Sequence, residues 1–368
     1  MQAVLGVIFH FIGGFASGSF YMPFKKVRGW AWETYWLVGG LFSWLVVPPL
    51  AAYLTVPGFA EIIRQTDDSV LLYTYMFGVL WGIGGLTYGL GVRFLGMSLG
   101  NSIILGLCMV FGALVPSIYY DIFAEKDKET LSQLVSNTWG LTILLGLVIC
   151  IAGIILCGKA GMLKERQLKL ADTTSSKGNF SKEEYRFGLG LFVAIISGML
   201  SACFNFGLEA GQPMADVANA AWITANPNQG NFLYANNVTY IVLLWGGLTT
   251  NFIWCMILHL RNKTFHDYTN AATPLGRNYL LSALAGTTWF LQFFFYGMGA
   301  SKLGNSASSW ILHMAFIILV ANMWGLVLKE WKGVDKRTRT LVTLGVMVII
   351  ISVMVVGYGN YLKSIAVK

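Results

Sequence analysis

Long apolar runs separated by short polar breaks make up most of this chain. A run of about 20 apolar residues matches the hydrocarbon core of a bilayer. Ten runs of that kind can be marked, at 2–24, 33–55, 70–92, 95–119, 138–157, 187–208, 237–259, 278–300, 303–328 and 340–361. The break between the third and fourth is the shortest. Backbone groups in lipid must find their hydrogen bonds within the segment, so these runs predict helices. The first run opens "MQAVLGVIFHFIGG", with no basic stretch ahead of it, and continues as a full span, unlike a cleavable signal. The fold class expected is all-α integral membrane, with ten transmembrane helices.

Composition agrees. The 368 residues are 56% hydrophobic and 11% charged, against roughly 25% charged in soluble domains. The net charge of +8 would by itself suit a nucleic-acid partner, but its distribution argues against one. Of the 25 basic residues, all but Arg64, Lys126, Lys128, Lys302, Lys363 and Lys368 fall in the odd-numbered loops. Cytoplasmic loops carry the Lys and Arg excess. The odd loops are therefore expected inside the cell, and both termini outside. The five cysteines, Cys108, Cys150, Cys157, Cys203 and Cys255, all lie within spans. No metal-type spacing appears, so they read as small apolar fillers, with neither metal nor cofactor expected.

The most polar stretch, 158–186, reads as a cytoplasmic linker between two five-span halves, 1–157 and 187–368. Five is odd, so if the halves are copies the second is inverted. The copies can be aligned. Gly6, Ile12, Gly14, Ser17 and Phe20 recur as Gly190, Ile196, Gly198, Ser201 and Phe204 at one constant offset. "YGLG" at 88–91 recurs as "YGMG" at 296–299, and "LGNS" at 99–102 recurs at 303–306. Both doubled texts fall at equivalent junctions of the two halves. Inverted repeats suit a central site that opens to either side in turn. Gly78, Gly82, Gly85 and Gly89 line one face of the third span, where close helix packing is expected.

No Asp, Glu, Lys or Arg lies in a span core, but His10 and His313 do, each near the expected midplane. Ionisable groups at that depth are functional candidates, and histidine exchanges protons near neutral pH. The alternative is a neutral imidazole bridging helices. Glu33, at the cytoplasmic entry of the second span, is a third proton candidate, though an acid also suits a helix first turn. The lack of fixed charge at depth argues for a neutral cargo, held by uncharged polar groups and flat apolar faces. Trp289, Gln292 and Tyr296 share one helix face, Trp310 stands three residues before His313, and Asn205 lies in the sixth span. Tyr88 and Asn101, within the doubled texts, complete the substrate-binding candidates.

Several stretches resemble the bacterial L-rhamnose–proton symporter family of the drug/metabolite transporter superfamily. They are "SFYMPFKKVRGWAWETYW" at 19–36, "WGIGGLTYGLGVRFLGMSLG" at 81–100, "KAGMLKER" at 159–166, "WFLQFFFYGMG" at 289–299, "SWILHMAF" at 309–316 and "GLVLKEW" at 325–331. The resemblance implies uptake of L-rhamnose, or a related 6-deoxyhexose, with a proton across the bacterial inner membrane. His10, Glu33, Gln292 and His313 stand where the resemblance implies the family's own residues. Two stretches depart from the pattern, "GLTYG" after "WGIG" and "ASKLGNSASSW" after the eighth span, and both fall where cargo could be read. The partners expected are a small neutral sugar, a proton and membrane lipid, with no nucleic acid. A carrier of another neutral sugar or metabolite, an intramembrane enzyme, and a sensor or channel stand as rivals. Against the enzyme, no nucleophile–base–acid set clusters at either interface.

Overall fold

The apolar runs become helices. The computed structural model describes residues 2–95, 97–123, 128–173, 187–327, 331 and 333–366, and no strand occurs among them. In chain order the helices are α1 (Gln2–Ser19), α2 (Tyr21–Phe24), α3 (Trp32–Gly40), α4 (Val47–Thr55), α5 (Phe59–Gln65), α6 (Asp68–Leu95), α7 (Met97–Ile122), α8 (Leu131–Ser136), α9 (Thr138–Thr173), α10 (Phe187–Ala210), α11 (Gln212–Ala225), α12 (Asn237–Asn262), α13 (Leu275–Leu303), α14 (Ser306–Val327) and α15 (Lys336–Ala366). A π-helical turn, Leu41–Val46, joins α3 to α4, and a 3-10 turn, Phe265–Tyr268, follows α12.

Nine stretches among the described residues are long and apolar enough to cross a membrane. They correspond to nine of the ten runs marked in the sequence. The remaining run, 278–300, lies in α13, which is long enough at 29 residues. Its threonines and glycines, with Trp289, Gln292 and Tyr296, dilute its apolar content. The chain is a multi-pass helical membrane protein.

Helix α9 continues to Thr173, so the first part of the polar stretch 158–186 is helical, and 174–186 lie outside the described residues. The long loop 209–236 is also more ordered than its composition suggests. It carries α11, and the Asn219 side chain accepts from the Phe232 backbone N–H at 2.7 Å. Met214, Ala218 and Phe232 are buried there with Val56, Val238 and Val242.

Packing divides the chain into two compact units. One gathers Met1–Ile83 with Cys203–Gly304, the other Gly84–Ala202 with Asn305–Lys368. Each unit draws on both sequence halves, and α6 and α10 each begin in one unit and end in the other. The division by contact thus cuts across the two halves marked in the sequence.

In the first unit α1 and α13 pack antiparallel. Gly6 meets Leu303, His10 meets Gly299 and Tyr296, and Phe20 meets Trp289. The register depends on small residues, since a Cβ at Gly6 would come within 2.7 Å of Leu303. Gly78 and Gly82 of α6 lie against α12, as the GxxxG spacing predicts, whereas a Cβ at Gly85 or Gly89 would meet no described atom within 4 Å. The π-helical turn has a cause in the sequence. Pro48 and Pro49 lack the N–H groups that would bond the carbonyls of Trp44 and Leu45, so the helix widens just before them.

In the second unit α9 and α15 run antiparallel with glycines on both sides. Gly146 meets Val356, Gly153 meets Ile349, Cys157 meets Gly345 and Ile143 meets Gly359. Dispersion contacts of this kind hold helices together in lipid, where apolar burial alone gives little advantage. The two copies of "LGNS" differ in conformation. Gly304 closes α13 in the left-handed region at φ +59, whereas Gly100 lies within α7. That position of α13's end needs glycine, because other residues rarely adopt it.

Candidate functional site

The first unit holds the densest group of candidate residues. His10 is 0% exposed in α1, and its ring stands edge-on to Tyr296 of α13 at 5.3 Å between centroids. Tyr296 donates its hydroxyl to the Asn205 side-chain oxygen at 3.3 Å. Gly299 makes the approach possible, because a Cβ there would lie 2.7 Å from His10 Nε2. Three predicted residues on three helices, α1, α10 and α13, thus meet at one buried point.

One and two turns earlier on α13 stand Gln292, 5% exposed, and Trp289. Trp289 belongs to an aromatic cluster. Its ring lies 5.5 Å from Trp81, 4.7 Å from Phe293 and 5.7 Å from Trp44, the last at 89°. Phe204 stacks on Phe293 at 4.3 Å and meets Trp81 edge-on at 5.3 Å. Next to Trp289 is a narrow recess of about 10 Å³, lined by Phe20, Phe24, Trp36, Ser43, Trp44 and Trp289, with Gly39, Gly40 and Gly286 in its walls. A cavity needs roughly 10–15 Å³ to hold one water, so this recess is water-sized rather than ligand-sized.

Glu33 occupies a different part of the first unit. It is 4% exposed, and its Oε1 accepts from Asn262 Nδ2 at 3.0 Å and Thr264 Oγ1 at 2.8 Å. Thr264 Oγ1 also lies 2.7 Å from His259 Nδ1, and His259 Nε2 lies 2.9 Å from the Tyr268 hydroxyl. Beside this chain Asp267 accepts from the Ala31 N–H at 2.7 Å and the Thr34 hydroxyl at 2.9 Å. Burial pushes the Tyr268 phenol well above its usual range, so it serves as a neutral hydrogen-bonding group. The sequence reading named Glu33 but missed His259, Thr264 and Asp267. They fall where a span gives way to a loop, and polar residues there need no special explanation.

The other candidates belong to the second unit. His313 is 2% exposed in α14. Trp310, one turn before it, donates its indole N–H to the Cys108 carbonyl at 3.0 Å and lies across Gly112. That indole N–H is engaged by backbone within the unit. Tyr88 packs on the buried cluster of Leu95, Ile104 and Ala194. The Asn101 side chain lies outside the described residues.

Comparison with known proteins adds identity to this geometry. The family model of the L-rhamnose-proton symport protein (RhaT) matches residues 1–361. A Yersinia pestis (strain Pestoides F) protein named L-rhamnose-proton symporter is 36% identical over 361 residues, 97% of this chain and 98% of that protein. A Cronobacter sakazakii protein of the same name is 36% identical over 360 residues, 96% and 97% of the two chains. A solved structure, described only as the crystal structure of a protein, overlays with a TM-score of 0.50 at 11% identity, covering 95% of each chain, a likeness of fold alone. With the family pattern matched from the first residue into the last helix, this chain belongs to the L-rhamnose-proton symport protein family.

Proposed function

We propose that this protein imports L-rhamnose together with a proton. The observation that carries the reading is the end-to-end match to relatives named for that activity, at 36% identity over 97% of the chain. The chemistry supports it. A sugar is neutral and polyhydroxylated, with flat C–H faces. Aromatic rings receive such faces, while amide and hydroxyl groups such as those of Gln292 and Ser43 answer its hydroxyls. The family is named for transport, and no reaction on the sugar is called for.

Coupling needs a group that takes up and releases a proton in the membrane's interior. His10 and His313 are the candidates, with Glu33 in reserve. One charge moving through about 150 mV supplies roughly 3.5 kcal/mol. At about 1.4 kcal/mol per tenfold, that sustains a sugar gradient of roughly 300-fold. Asn205, Gln292, Trp289, Tyr296, Tyr88, Asn101 and Trp310 are the residues proposed to bind the sugar.

The finer architecture belongs to the same proposal. Helix α13 serves as a tenth span, its polar residues facing protein rather than lipid. The two sequence halves are inverted repeats, as in the drug/metabolite transporter superfamily, and exposure of the site alternates by their motion. Both termini lie outside the inner membrane. The departures at "GLTYG" and "ASKLGNSASSW" make a related neutral sugar the second reading.

Uptake of radiolabelled L-rhamnose in cells lacking their own carrier tests the reading. Accumulation against a gradient that a protonophore collapses is expected. Equilibration without accumulation would indicate a facilitator, and no uptake would refute the reading. Competition by a panel of unlabelled sugars separates rhamnose from its relatives.

A further inference from the structure

We propose that the loops at one end of the first unit form a docking surface for the phosphate headgroup of an acidic phospholipid. The surface is made by residues 25–31, between α2 and α3, and by residues 260–280, from the end of α12 to the start of α13. Lipid binding there is independent of the cargo and extends beyond the symport reading above.

Charge is the first observation. Lys25, Lys26, Arg28, Arg261, Lys263 and Arg277 are all exposed. The acids of the same region are turned inward. Asp267 is buried and directs its carboxylate at the Ala31 N–H and the Thr34 hydroxyl. Glu33 is buried as well, and accepts from Asn262 and Thr264. The surface therefore presents cations with no exposed carboxylate among them. Arg64 and Lys363, by contrast, have acidic partners, Glu61 at 2.8 Å and Glu129 at 3.7 Å. Clusters of about four to eight Lys and Arg beside membrane spans attract acidic headgroups.

The second observation is that the two segments are fastened to each other, so their cations share one surface. Asn278 clasps the backbone of Arg28, its Oδ1 accepting from the N–H at 3.2 Å and its Nδ2 donating to the carbonyl at 2.8 Å. Gly29, at φ +70, lies so close to Thr273 that a Cβ would come within 2.8 Å of its Cγ2. Tyr279 donates its hydroxyl to the Tyr268 carbonyl at 2.9 Å, and its ring stands edge-on to Trp30 at 4.8 Å between centroids. The third observation selects lipid over a soluble anion. Leu260, Phe265, Tyr279 and Leu280 are exposed apolar side chains, and they stand within two or three residues of Arg261, Lys263 and Arg277. A phospholipid offers phosphate to the cations and acyl chains to these apolar groups together. Long basic side chains and tyrosines at helix ends reach the headgroup level. A nucleic acid or an acidic peptide would leave Leu260 and Leu280 without a role.

The test follows the melting temperature of the purified full chain in detergent, where the effect of positive charge on membrane insertion plays no part. Dioleoylphosphatidylglycerol, dioleoylphosphatidylcholine and inorganic phosphate are titrated separately. Phosphatidylglycerol is expected to raise the melting temperature, phosphatidylcholine and phosphate to leave it unchanged, and added salt to weaken the rise. The combined variant Arg261→Gln, Lys263→Gln and Arg277→Gln is expected to need roughly tenfold more phosphatidylglycerol for half the rise, or more, since each Lys or Arg near acidic headgroups contributes about fivefold. Lys336→Gln, Arg337→Gln and Arg339→Gln together remove as many exposed charges from a segment that also exposes Asp335, and a change of less than about twofold is expected. Should the first variant fail to fold, Lys26→Gln with Arg28→Gln takes its place, with a rise of roughly fivefold or more expected. Equal stabilisation by phosphatidylcholine, no shift in the variants of the surface, or equal shifts in the two combined variants would overturn the surface. Equal stabilisation by inorganic phosphate would overturn the lipid and reassign the cations to a soluble anion.

Discussion

His10 and His313 are buried imidazoles, and their roles can be separated by what survives substitution. Glutamine keeps much of the size and some hydrogen bonding but has no titration between pH 5 and 8. In the coupling histidine's glutamine variant, exchange of sugar down its own gradient is expected to persist, while accumulation driven by a pH gradient collapses. A histidine that only joins helices loses both together or neither. His10→Gln also tests the contact with Tyr296, 5.3 Å between ring centroids, which the imidazole's flat edge makes and an amide does not reproduce. Normal pH-driven accumulation in both variants would move the proton to Glu33. At the sugar, Gln292→Ala is expected to raise Km roughly three- to tenfold with membrane expression unchanged, since one hydrogen bond to a neutral group is lost. An unchanged Km would place Gln292 outside the site. The sequence made His10, Tyr296 and Asn205 legible because polar groups are rare within apolar runs. It left Trp44 inconspicuous, because an aromatic residue in a span is ordinary and only the geometry shows its N–H without a partner among the described residues.

Individual helices were easier to read than the chemistry at their ends. Periodic glycines announced the close contact of α6 with α12 at Gly78 and Gly82, but the same spacing at Gly85 and Gly89 has no described atom to meet. Spacing shows which face is smooth, and only the partner helix shows whether it is used. The helix within 209–236 escaped notice because α11 is short and its apolar residues cover a cap rather than a span. Two outcomes follow at this level. Gly345→Leu places a side chain where even a Cβ would sit 2.6 Å from Cys157 Sγ, so α9 and α15 must part. A cost of about 1–3 kcal/mol is expected for such overpacking, read as a lower melting temperature in detergent. Glu33→Ala strands the donors of Asn262 and Thr264, and a similar loss of stability is expected. The milder Glu33→Gln is expected to retain pH-driven accumulation. If it abolishes accumulation while exchange persists, Glu33 carries the coupling and His259, linked through Thr264, becomes the group to examine next.

The whole chain poses a question of orientation that its charges answer in advance. Nineteen of the 25 basic residues lie in the odd-numbered loops, with the richest run in 158–186. Positive residues are retained on the cytoplasmic side during insertion, so that run is expected inside and both termini outside. An even number of crossings is required for the termini to share a side, and α13 is the helix that would turn the nine candidate spans into ten. Its 29 residues exceed the length of a span, yet Gln292 and its aromatic neighbours keep it from the apolarity of the other nine. Burial of those residues against α1, as His10 and Phe20 show, gives the helix a reason to cross despite its composition. Single-cysteine labelling decides the matter. The five native cysteines are all buried, so added ones at exposed sites report cleanly. An impermeant maleimide applied to intact cells is expected to modify a cysteine appended after Lys368 and to spare Ser176→Cys, which reacts only after the membrane is opened. Termini on opposite sides would remove α13 from the spans. Labelling of Ser176→Cys but not the C-terminus would invert the protein, while the direction of sugar movement, set by the proton gradient in a symporter, would stay the same.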